Sequence, residues 1–217
     1  MSSWIELLPA LLRGAWVTVQ ITVVSGACSL VASFLVGFAR VAPWWPVRAV
    51  ARVYCDLFRG TSLLVQLFYF YYVLPLVVPG LGPFTTAVLA LTANTAAYGA
   101  EIVRSRILAV DPGLREAATA LNMSPALTFR RIVVPTALLP MVPLFGNRAI
   151  ILVKESSLVS LITVADLAFQ GQQLFVLTDD AGRVYALVLL MYFCICFPLS
   201  LGVRWLERRV GVRAAGA

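Results

Sequence analysis

The sequence predicts an all-α integral membrane protein with about five transmembrane helices in a single domain, residues 1–217. Of its 217 residues, 61% are hydrophobic and only 12% are charged, whereas a soluble domain averages roughly 45–50% apolar and 25% charged residues. The charges are also unevenly spread, because the runs 14–39 and 60–100 contain none. Since about 20 apolar residues cross a bilayer, these runs are typical of membrane spans.

Prolines and charges divide the chain into its predicted spans. Residues 40–59 combine five charges with two prolines and predict a loop with an amphipathic helix. The uncharged run 60–100 is too long for one helix, and the prolines and glycines of 75–83 break it in two. Charges interrupt the fourth span, and a polar loop, 166–183, precedes the last. The expected spans cover residues 14–39, 61–78, 84–106, 134–165 and 184–203.

The distribution of basic residues orients these spans. Loops rich in Lys and Arg remain in the cytoplasm, and an external N-terminus places most of the 17 basic residues on that side. The opposite topology would violate this rule. The sequence therefore predicts an external N-terminus, a cytoplasmic C-terminus and a cytoplasmic position for the polar segment 107–133.

The polar segment 107–133 carries the start and stop signals of two helices. Asp111 before a proline predicts a capped helix start, and Asn122 predicts a left-handed residue that ends the helix. Ser124 before a second proline repeats the start signal. The first helix has an apolar stripe, formed by Leu114, Ala117, Ala118 and Leu121. Such a segment is either an amphipathic helix on the membrane surface or a docking surface for another subunit.

Polar side chains inside the predicted spans are candidates for solute contact. Polar and ionisable groups are costly within a bilayer, so a functional role is the default interpretation. A zwitterionic solute needs an anionic and a cationic partner. Glu101 or Glu155 could supply the first, and Arg148 or Lys154 the second. Alternatively, these groups pair with one another and hold the helices together. The candidates for the solute path are Gln66, Asn94, Tyr98, Asn147, Lys154, Glu155, Ser156 and Ser157.

The sequence lacks the signature of an ATP-hydrolysing site. It contains no G-x-x-x-x-G-K-[ST] segment to cradle phosphates, and without histidine it has no Ser-His-Asp or Cys-His arrangement. The four cysteines are interpreted as small apolar residues rather than metal ligands. We therefore expect no catalytic residue, metal or cofactor in this chain, and any ATP-driven work must come from a separate subunit.

Residues 111–135 resemble the EAA loop of importer-type ABC transporter permeases. In that loop an acidic residue, two alanines, a glycine and a terminal I-x-L-P motif surround the helix that docks on the ATPase. The corresponding positions are Glu116, Ala117, Ala118, Asn122, Ile132, Val134 and Pro135. Two of them depart from the pattern, since Asn122 replaces glycine and Val134 replaces leucine. Asparagine is the next most suitable residue for a left-handed turn, so the resemblance implies that the turn is kept.

The resemblance extends to residues 59–68, 91–104 and 146–162, which are similar to the polar amino-acid permease family. Shorter matches, A-L-N-M-S at 120–124 and F-Q-G-Q at 169–172, resemble its ectoine/hydroxyectoine branch. The resemblance implies a type I ABC importer permease of the bacterial inner membrane, with a cytoplasmic coupling helix. Its solute would be ectoine, hydroxyectoine or a polar amino acid.

The same resemblance implies several partners. Two ATPase subunits would bind ATP and magnesium and dock on the Glu116 loop. A second permease subunit, identical or paralogous, would complete the solute path, and an extracytoplasmic solute-binding protein would deliver the solute. Membrane lipid surrounds the spans, and nucleic acid is not expected. The alternatives are a self-contained secondary transporter or channel, which would need an ion relay of its own, and a structural membrane anchor.

Overall fold

The chain folds into long and short helices packed side by side. A computed structural model describes the backbone of residues 4–214 and the side chains of residues 7–209, and every regular element in that part is helical. The α-helices are α1 (Trp4–Val41), α2 (Trp45–Gly60), α3 (Leu63–Tyr72), α4 (Leu74–Val77), α5 (Pro83–Leu108), α6 (Pro112–Ala120), α7 (Pro125–Thr128), α8 (Val134–Glu155), α9 (Leu167–Thr178) and α10 (Ala181–Ala214). A π-helical turn, Phe129–Val133, joins α7 to α8, and a 3-10 helix, Ser156–Ile162, follows α8.

Three helical stretches are long and apolar enough to cross a bilayer, and a bent pair of helices is a fourth candidate. The three are Leu7–Val41, Pro125–Ile162 and Ala181–Arg209. The pair consists of Trp45–Gly60 and Leu63–Val77, which meet at an angle of 105°. The all-helical membrane fold predicted from the sequence is confirmed, while the number of clearly apolar spans is lower than the predicted count.

The difference in count comes from α5. Its 26 residues are long enough to cross a bilayer, at about 1.5 Å of rise per residue, but it carries polar groups such as Asn94 and Arg104. It packs against α1, α2, α3 and α8, so protein rather than lipid surrounds much of its length. A side chain buried against protein can be polar where it finds a hydrogen-bond partner, so hydropathy alone does not identify such a helix.

Small residues let α1 and α5 approach each other closely. A Cβ added to Gly37 would lie 2.6 Å from the Cβ of Val103, closer than real Cβ atoms come to a neighbour. One turn earlier, Ser33 is 1% exposed and donates a hydrogen bond to the carbonyl of Ser29 at 2.6 Å. Packing through small residues is common between helices in membranes. It makes α5 the central helix, on which the site described below is built.

Several helix ends differ from the predicted spans. The first helix begins at Trp4 rather than near residue 14, and α10 continues well beyond residue 203. The predicted second span, 61–78, is divided into α3 and α4, because Pro75 stands in the first turn of α4 and cannot continue α3. The predicted polar loop 166–183 contains α9, whose start is set by a side-chain cap.

Asp166 provides that cap and joins three helices. Its carboxylate accepts hydrogen bonds from the Phe169 amide at 2.9 Å and from the Tyr192 hydroxyl of α10 at 3.4 Å. The neighbouring Leu167 amide donates to Thr18 Oγ1 of α1 at 3.1 Å. Asp166 has no exposed surface, and this burial raises its pKa to about 6, although its hydrogen bonds act in the opposite direction.

Replacing Asp166 with asparagine is expected to remove a pH dependence of stability. A folded pKa of about 6 lies above the ordinary value of 3.8, so folding favours the protonated acid. The resulting stabilisation is present below pH 4 and is lost as the pH rises through 6, a change of about 3 kcal/mol. The melting temperature of the unaltered chain in detergent should therefore fall, relative to that of Asp166→Asn, between pH 4 and pH 7. Parallel changes in the two chains over that range would contradict this account of Asp166.

Candidate functional site

Polar side chains from α3, α5 and the end of α8 meet inside the bundle. Asn94 and Tyr98 stand one turn apart on α5, and Gln66 belongs to the buried face of α3. Arg148 and Glu155 lie seven residues apart on α8, which places them on one face two turns apart. These five side chains are referred to below as the central polar site.

Arg148 makes most of the charged hydrogen bonds of the central polar site. Its guanidinium donates to both carboxylate oxygens of Glu155, from Nη2 to Oε2 at 2.9 Å and from Nη1 to Oε1 at 3.2 Å. The same Nη2 lies 3.2 Å from Asn94 Oδ1 and 3.3 Å from Thr95 Oγ1. Arg148 is only 7% exposed, so one carboxylate and two neutral acceptors compensate a charge that is costly to bury.

Part of Arg148 has no partner. Its Nε is buried without a hydrogen-bond partner among the described side chains. Arg148 also borders a cavity of about 190 Å³ between α1, α5 and α8, which is lined by Ser29, Ser33 and Phe145 among others. The guanidinium therefore retains one donor beyond those that its protein partners use.

Two amide side chains connect α5 to the turn between α2 and α3. Asn94 Nδ2 donates to Gln66 Oε1 at 2.9 Å and to the carbonyl of Phe58 at 3.1 Å. Gln66 Nε2 donates to the same carbonyl at 2.8 Å and to Thr61 Oγ1 at 2.7 Å. Asn94 and Gln66 are 3% and 7% exposed. Partners on three helices thus hold both amides in one orientation, and Asn94 Oδ1 is directed at Arg148.

Tyr98 lies at the open edge of the site. Its side chain is 38% exposed, and two guanidinium groups lie close to its ring. The Cζ of Arg148 is 4.5 Å from the ring centroid and that of Arg59 is 5.6 Å away. An aromatic face attracts cations within about 6 Å, so the ring brings two positively charged groups together at this edge.

Glu101, one turn from Tyr98 on α5, binds three arginines. Its carboxylate lies 2.9 Å from Arg104 and 3.3 Å from both Arg40 and Arg59. Because these arginines come from α5, α1 and α2, the carboxylate joins three helices at one end of the bundle. One negative charge among three positive ones leaves a local surplus of positive charge, which favours an anionic group nearby.

The other four predicted solute-path residues lie outside the central polar site. Lys154 and Ser157 line an open groove of about 420 Å³ beside α10. Asn147 is also directed at α10, since its Nδ2 donates to Glu207 Oε1 at 3.3 Å. Ser156 is fully buried and donates to a backbone carbonyl of α8 at 2.8 Å. Three of the four, Lys154, Ser157 and Asn147, thus lie beside α10, whereas Ser156 is buried against the backbone of α8.

Sequence reasoning missed Thr95 and Arg59 and named Arg148 only as a possible charge. The seven-residue spacing between Arg148 and Glu155 was a usable signal, because it corresponds to two helical turns. No local pattern identifies Arg59, since its contact with Tyr98 depends on how α2 is placed against α5. Thr95 carries no signal either, because buried threonines are common in helices of this kind.

The predicted helix, turn and second helix of the polar segment 107–133 are confirmed. The first, α6, begins where Asp111 Oδ1 accepts the Gly113 amide at 2.8 Å. It is closed by Asn122, whose φ of 53° is left-handed. Ser124 Oγ then accepts a backbone amide of α7 at 3.4 Å. The side chains that define this segment thus act as local caps, as their positions in the sequence indicated.

Much of the surface around α6 is uncovered. Ala118 is the buried residue of α6, at 1% exposure, and Arg115 Nη2 donates to the carbonyl of Ile107 at 2.9 Å, which fastens α6 to the end of α5. Ile132 is half-buried in the π-helical turn. The exposed residues include Glu116, Ala117, Leu121 and Pro135. This surface combines small, acidic and apolar side chains on a helix that is anchored to α5.

Replacing Asn122 with valine is expected to distort the turn after α6. A β-branched residue is a strong outlier in the left-handed region, and the strain costs about 1–2 kcal/mol. Asn122→Gly is the matched control, because glycine adopts this conformation without strain. Limited proteolysis of the full chain in detergent should cut residues 107–133 faster in Asn122→Val than in the glycine variant or the unaltered chain. Equal rates in all three chains would show that the turn does not depend on this residue.

Known proteins are similar to this chain in sequence and in fold. Residues 29–212 match the family described as binding-protein-dependent transport system inner membrane component. The probable amino-acid ABC transporter permease protein y4tF of Sinorhizobium fredii is 45% identical over 213 residues, which cover 95% of this chain and 90% of that protein. The glutamine transport system permease protein GlnP of Escherichia coli is 39% identical over 94% of both chains. The crystal structure of an amino acid ABC transporter with histidines matches with a TM-score of 0.89 and 32% identity, covering 96% of this chain and 99% of that chain.

Proposed function

Because this chain belongs to the family of binding-protein-dependent transport system inner membrane components, we propose that it carries a small zwitterionic solute through the central polar site into the cytoplasm. Its relatives are permease subunits of ABC transporters, so ATP is hydrolysed by a separate partner subunit. The observation that carries the proposal is the ion pair between Arg148 and Glu155, 2.9 Å apart and partly open to the surroundings on the side of Glu155.

The ion pair can exchange with a zwitterion. A solute carboxylate replaces Glu155 on the guanidinium of Arg148, and the solute's cationic nitrogen takes the released carboxylate of Glu155. Neither protein charge is then left unpaired. An unpaired buried charge would cost several kcal/mol. The unpartnered Nε of Arg148 supplies a further donor for the solute carboxylate.

The neutral side chains of the site keep Arg148 in place during this exchange. Asn94 and Thr95 accept hydrogen bonds from its Nη2, and Gln66 holds Asn94 in turn. These contacts do not depend on Glu155, so they persist when Glu155 turns to the solute. Lys154 and Ser157 remain candidates for a second part of the path, where the groove beside α10 would face a second permease subunit. Asn147 and Ser156 do not line that groove, and their hydrogen bonds go to α10 and to the backbone of α8.

Two lines of support suggest the class of the solute, and they favour different molecules within it. Relatives are named as amino-acid and glutamine permeases, which favours a polar amino acid. The resemblance of residues 120–124 and 169–172 to ectoine/hydroxyectoine permeases favours those solutes. Each of these molecules carries a carboxylate and a cationic group, so the exchange at Arg148 and Glu155 suits them all.

We further propose that an ATPase dimer, which binds ATP and magnesium, docks on the surface of α6. The uncovered Glu116 and Ala117 would contact it, with Ala118 beneath them, and the Asn122 turn would set the direction of the helix. Ile132 and Pro135 would connect this surface to α8. Because Arg115 fastens α6 to α5, movement of α6 on ATP binding would be transmitted to the helix that carries Asn94 and Tyr98.

This arrangement requires a cytoplasmic polar segment and C-terminus and an external N-terminus, as the positive-inside rule predicts. A solute-binding protein would deliver the solute from outside. A second permease subunit, identical or paralogous, would complete the path, since the described part of one chain offers few membrane-spanning helices with which to enclose it.

Reconstitution into proteoliposomes tests the proposed function. The full chain is combined with its co-encoded ATPase and solute-binding protein, and uptake of labelled glutamine, ectoine, hydroxyectoine and a neutral sugar is measured with and without ATP. We expect ATP-dependent uptake of at least one zwitterion and no uptake of the sugar. Uptake at the same rate without the ATPase would instead support a self-contained transporter or channel, and would overturn the proposal.

A further inference from the structure

The α2 helix lies across the neighbouring helical segment instead of continuing it. It meets Leu63–Val77 at 105°, and its two sides differ in character. Val50, Val53 and Leu57 are 71%, 67% and 58% exposed, and their spacing places them on one face. Arg48 and Arg52, also exposed, lie toward the opposite face. A helix with an uncovered apolar face and a basic face typically lies in the interfacial plane of a bilayer.

An apolar groove runs between α2 and the end of α1. It has a volume of about 570 Å³. The wall on the α1 side includes Leu35, Val36 and Ala39, and the wall on the α2 side includes Val47, Val50 and Tyr54. Because this is a membrane protein and the groove is open, the groove is accessible to the acyl chains of the bilayer.

Tryptophan and arginine side chains lie near the turn between α1 and α2, at one end of this groove. Arg48 Nη1 lies 3.5 Å from the carbonyl oxygen of Ala42 in the turn. The guanidinium is therefore at the end of the groove that is nearest the turn. Trp44 and Trp45 in the same turn are 74% and 72% exposed. Tryptophan is enriched at the headgroup level of membranes. The chemical order along the groove, from apolar walls to tryptophan and arginine, matches that of a phospholipid from acyl chain to phosphate.

We propose that this groove binds one anionic phospholipid, with an acyl chain between α1 and α2 and its phosphate at Arg48. Charge complementarity selects an anionic lipid, because a zwitterionic headgroup would also bring a cation next to Arg48. A second permease subunit in the groove is the alternative that the experiment below distinguishes. The inference depends on the chain being a membrane protein and not on the proposed solute.

The lipid groove is connected to the central polar site through α2. Arg59, at the far end of α2, lies over the Tyr98 ring and pairs with Glu101. A lipid that holds α2 in place would therefore also hold Arg59 at the edge of the solute site. Removing the lipid would change transport without any change in the side chains that contact the solute.

Fluorescence quenching by brominated lipids tests the lipid site. Trp44 and Trp45 are retained as reporters, and the other three of the five tryptophans are replaced by phenylalanine in the full chain. Brominated phosphatidylglycerol or brominated phosphatidylcholine is titrated into nanodiscs of unlabelled phosphatidylcholine. We expect phosphatidylglycerol to quench with roughly fivefold higher apparent affinity, as one arginine beside an anionic headgroup implies.

Three variants show whether the quenching comes from a lipid in this groove. Arg48→Gln should abolish the preference for phosphatidylglycerol. Arg130→Gln removes the same charge from an exposed part of the π-helical turn and should leave the preference unchanged. Ala39→Phe fills the groove and should weaken quenching by both lipids. The proposal is overturned if the unaltered chain shows no preference or if the preference survives Arg48→Gln. Quenching by both lipids that declines as more copies are loaded into each nanodisc would also overturn it, in favour of a second copy in the groove.

Discussion

Joint replacement of Arg148 and Glu155 by methionine is expected to abolish ATP-driven uptake while the chain remains folded. Replacing a buried ion pair by apolar side chains of similar size is often neutral for stability, so the loss would come from the missing charges. Two charge-assisted contacts to the solute disappear, which predicts an initial uptake rate at least about 100-fold lower. The measurement is uptake of the transported zwitterion into proteoliposomes, with the melting temperature in detergent as the test of folding.

Single substitutions separate the role in transport from the role in folding. Arg148→Met leaves the Glu155 carboxylate unpaired and should lower the free energy of unfolding by up to about 3 kcal/mol. The loss is smaller than for a fully buried charge because Glu155 is 27% exposed and partly solvated. A matched control removes the pair between Arg183 and Asp180, 3.1 Å apart with both side chains 39% exposed. Arg183→Gln with Asp180→Asn should change stability by less than about 1 kcal/mol and leave uptake intact. If the double methionine variant transports at the normal rate, the Arg148–Glu155 pair only holds the bundle together.

Replacing Ala117 with tryptophan is expected to uncouple the chain from its ATPase. Ala117 is exposed on α6, so the larger side chain can be accommodated without disturbing the fold of the free permease. A small side chain at a helix contact allows close approach of the partner, and a tryptophan would hold the two surfaces apart. We expect uptake to fall at least roughly tenfold, the equivalent of about 1.4 kcal/mol in docking.

The result is measured as co-purification of the ATPase and as solute-stimulated ATP hydrolysis. Ala117→Ser keeps a small side chain at the same position and should leave both unchanged. The melting temperature of the isolated permease should be the same for all three chains. Normal uptake and normal stimulated hydrolysis in Ala117→Trp would show that the ATPase docks elsewhere.

The polar segment 107–133 could be predicted from the sequence in detail. Asp111, Asn122 and Ser124 are capping residues whose effect is confined to a few neighbours. Their hydrogen bonds and the left-handed φ of Asn122 agree with that prediction. The use of this surface by an ATPase is a separate question, because it concerns contacts with another chain.

The central polar site could be predicted only in part. The expectation of an intramembrane polar cluster identified Gln66, Asn94, Tyr98 and Glu155, because uncompensated polar groups are rare in membrane spans. The same reasoning could not separate these residues from Lys154 and Ser157, which the structure places beside α10. Adjacent positions at the end of α8 face different neighbours, and the identity of those neighbours depends on the packing of α3, α5 and α10.

The sequence by itself determined the class of the protein, its helical content and the local form of α6. Amino-acid composition indicates whether a chain folds in water or in a lipid bilayer, and a helix cap acts within one helical turn. Both can therefore be predicted without knowledge of contacts between distant residues. Only the tertiary structure decided that Arg148 reaches Asn94 and Thr95 of α5, and that Arg59 reaches Tyr98. These partnerships depend on how α8 and α2 pack against α5, whose position is set by its close approach to α1 and by the 105° bend after α2. Both features arise from packing between residues that are far apart in the chain, and no local pattern encodes them.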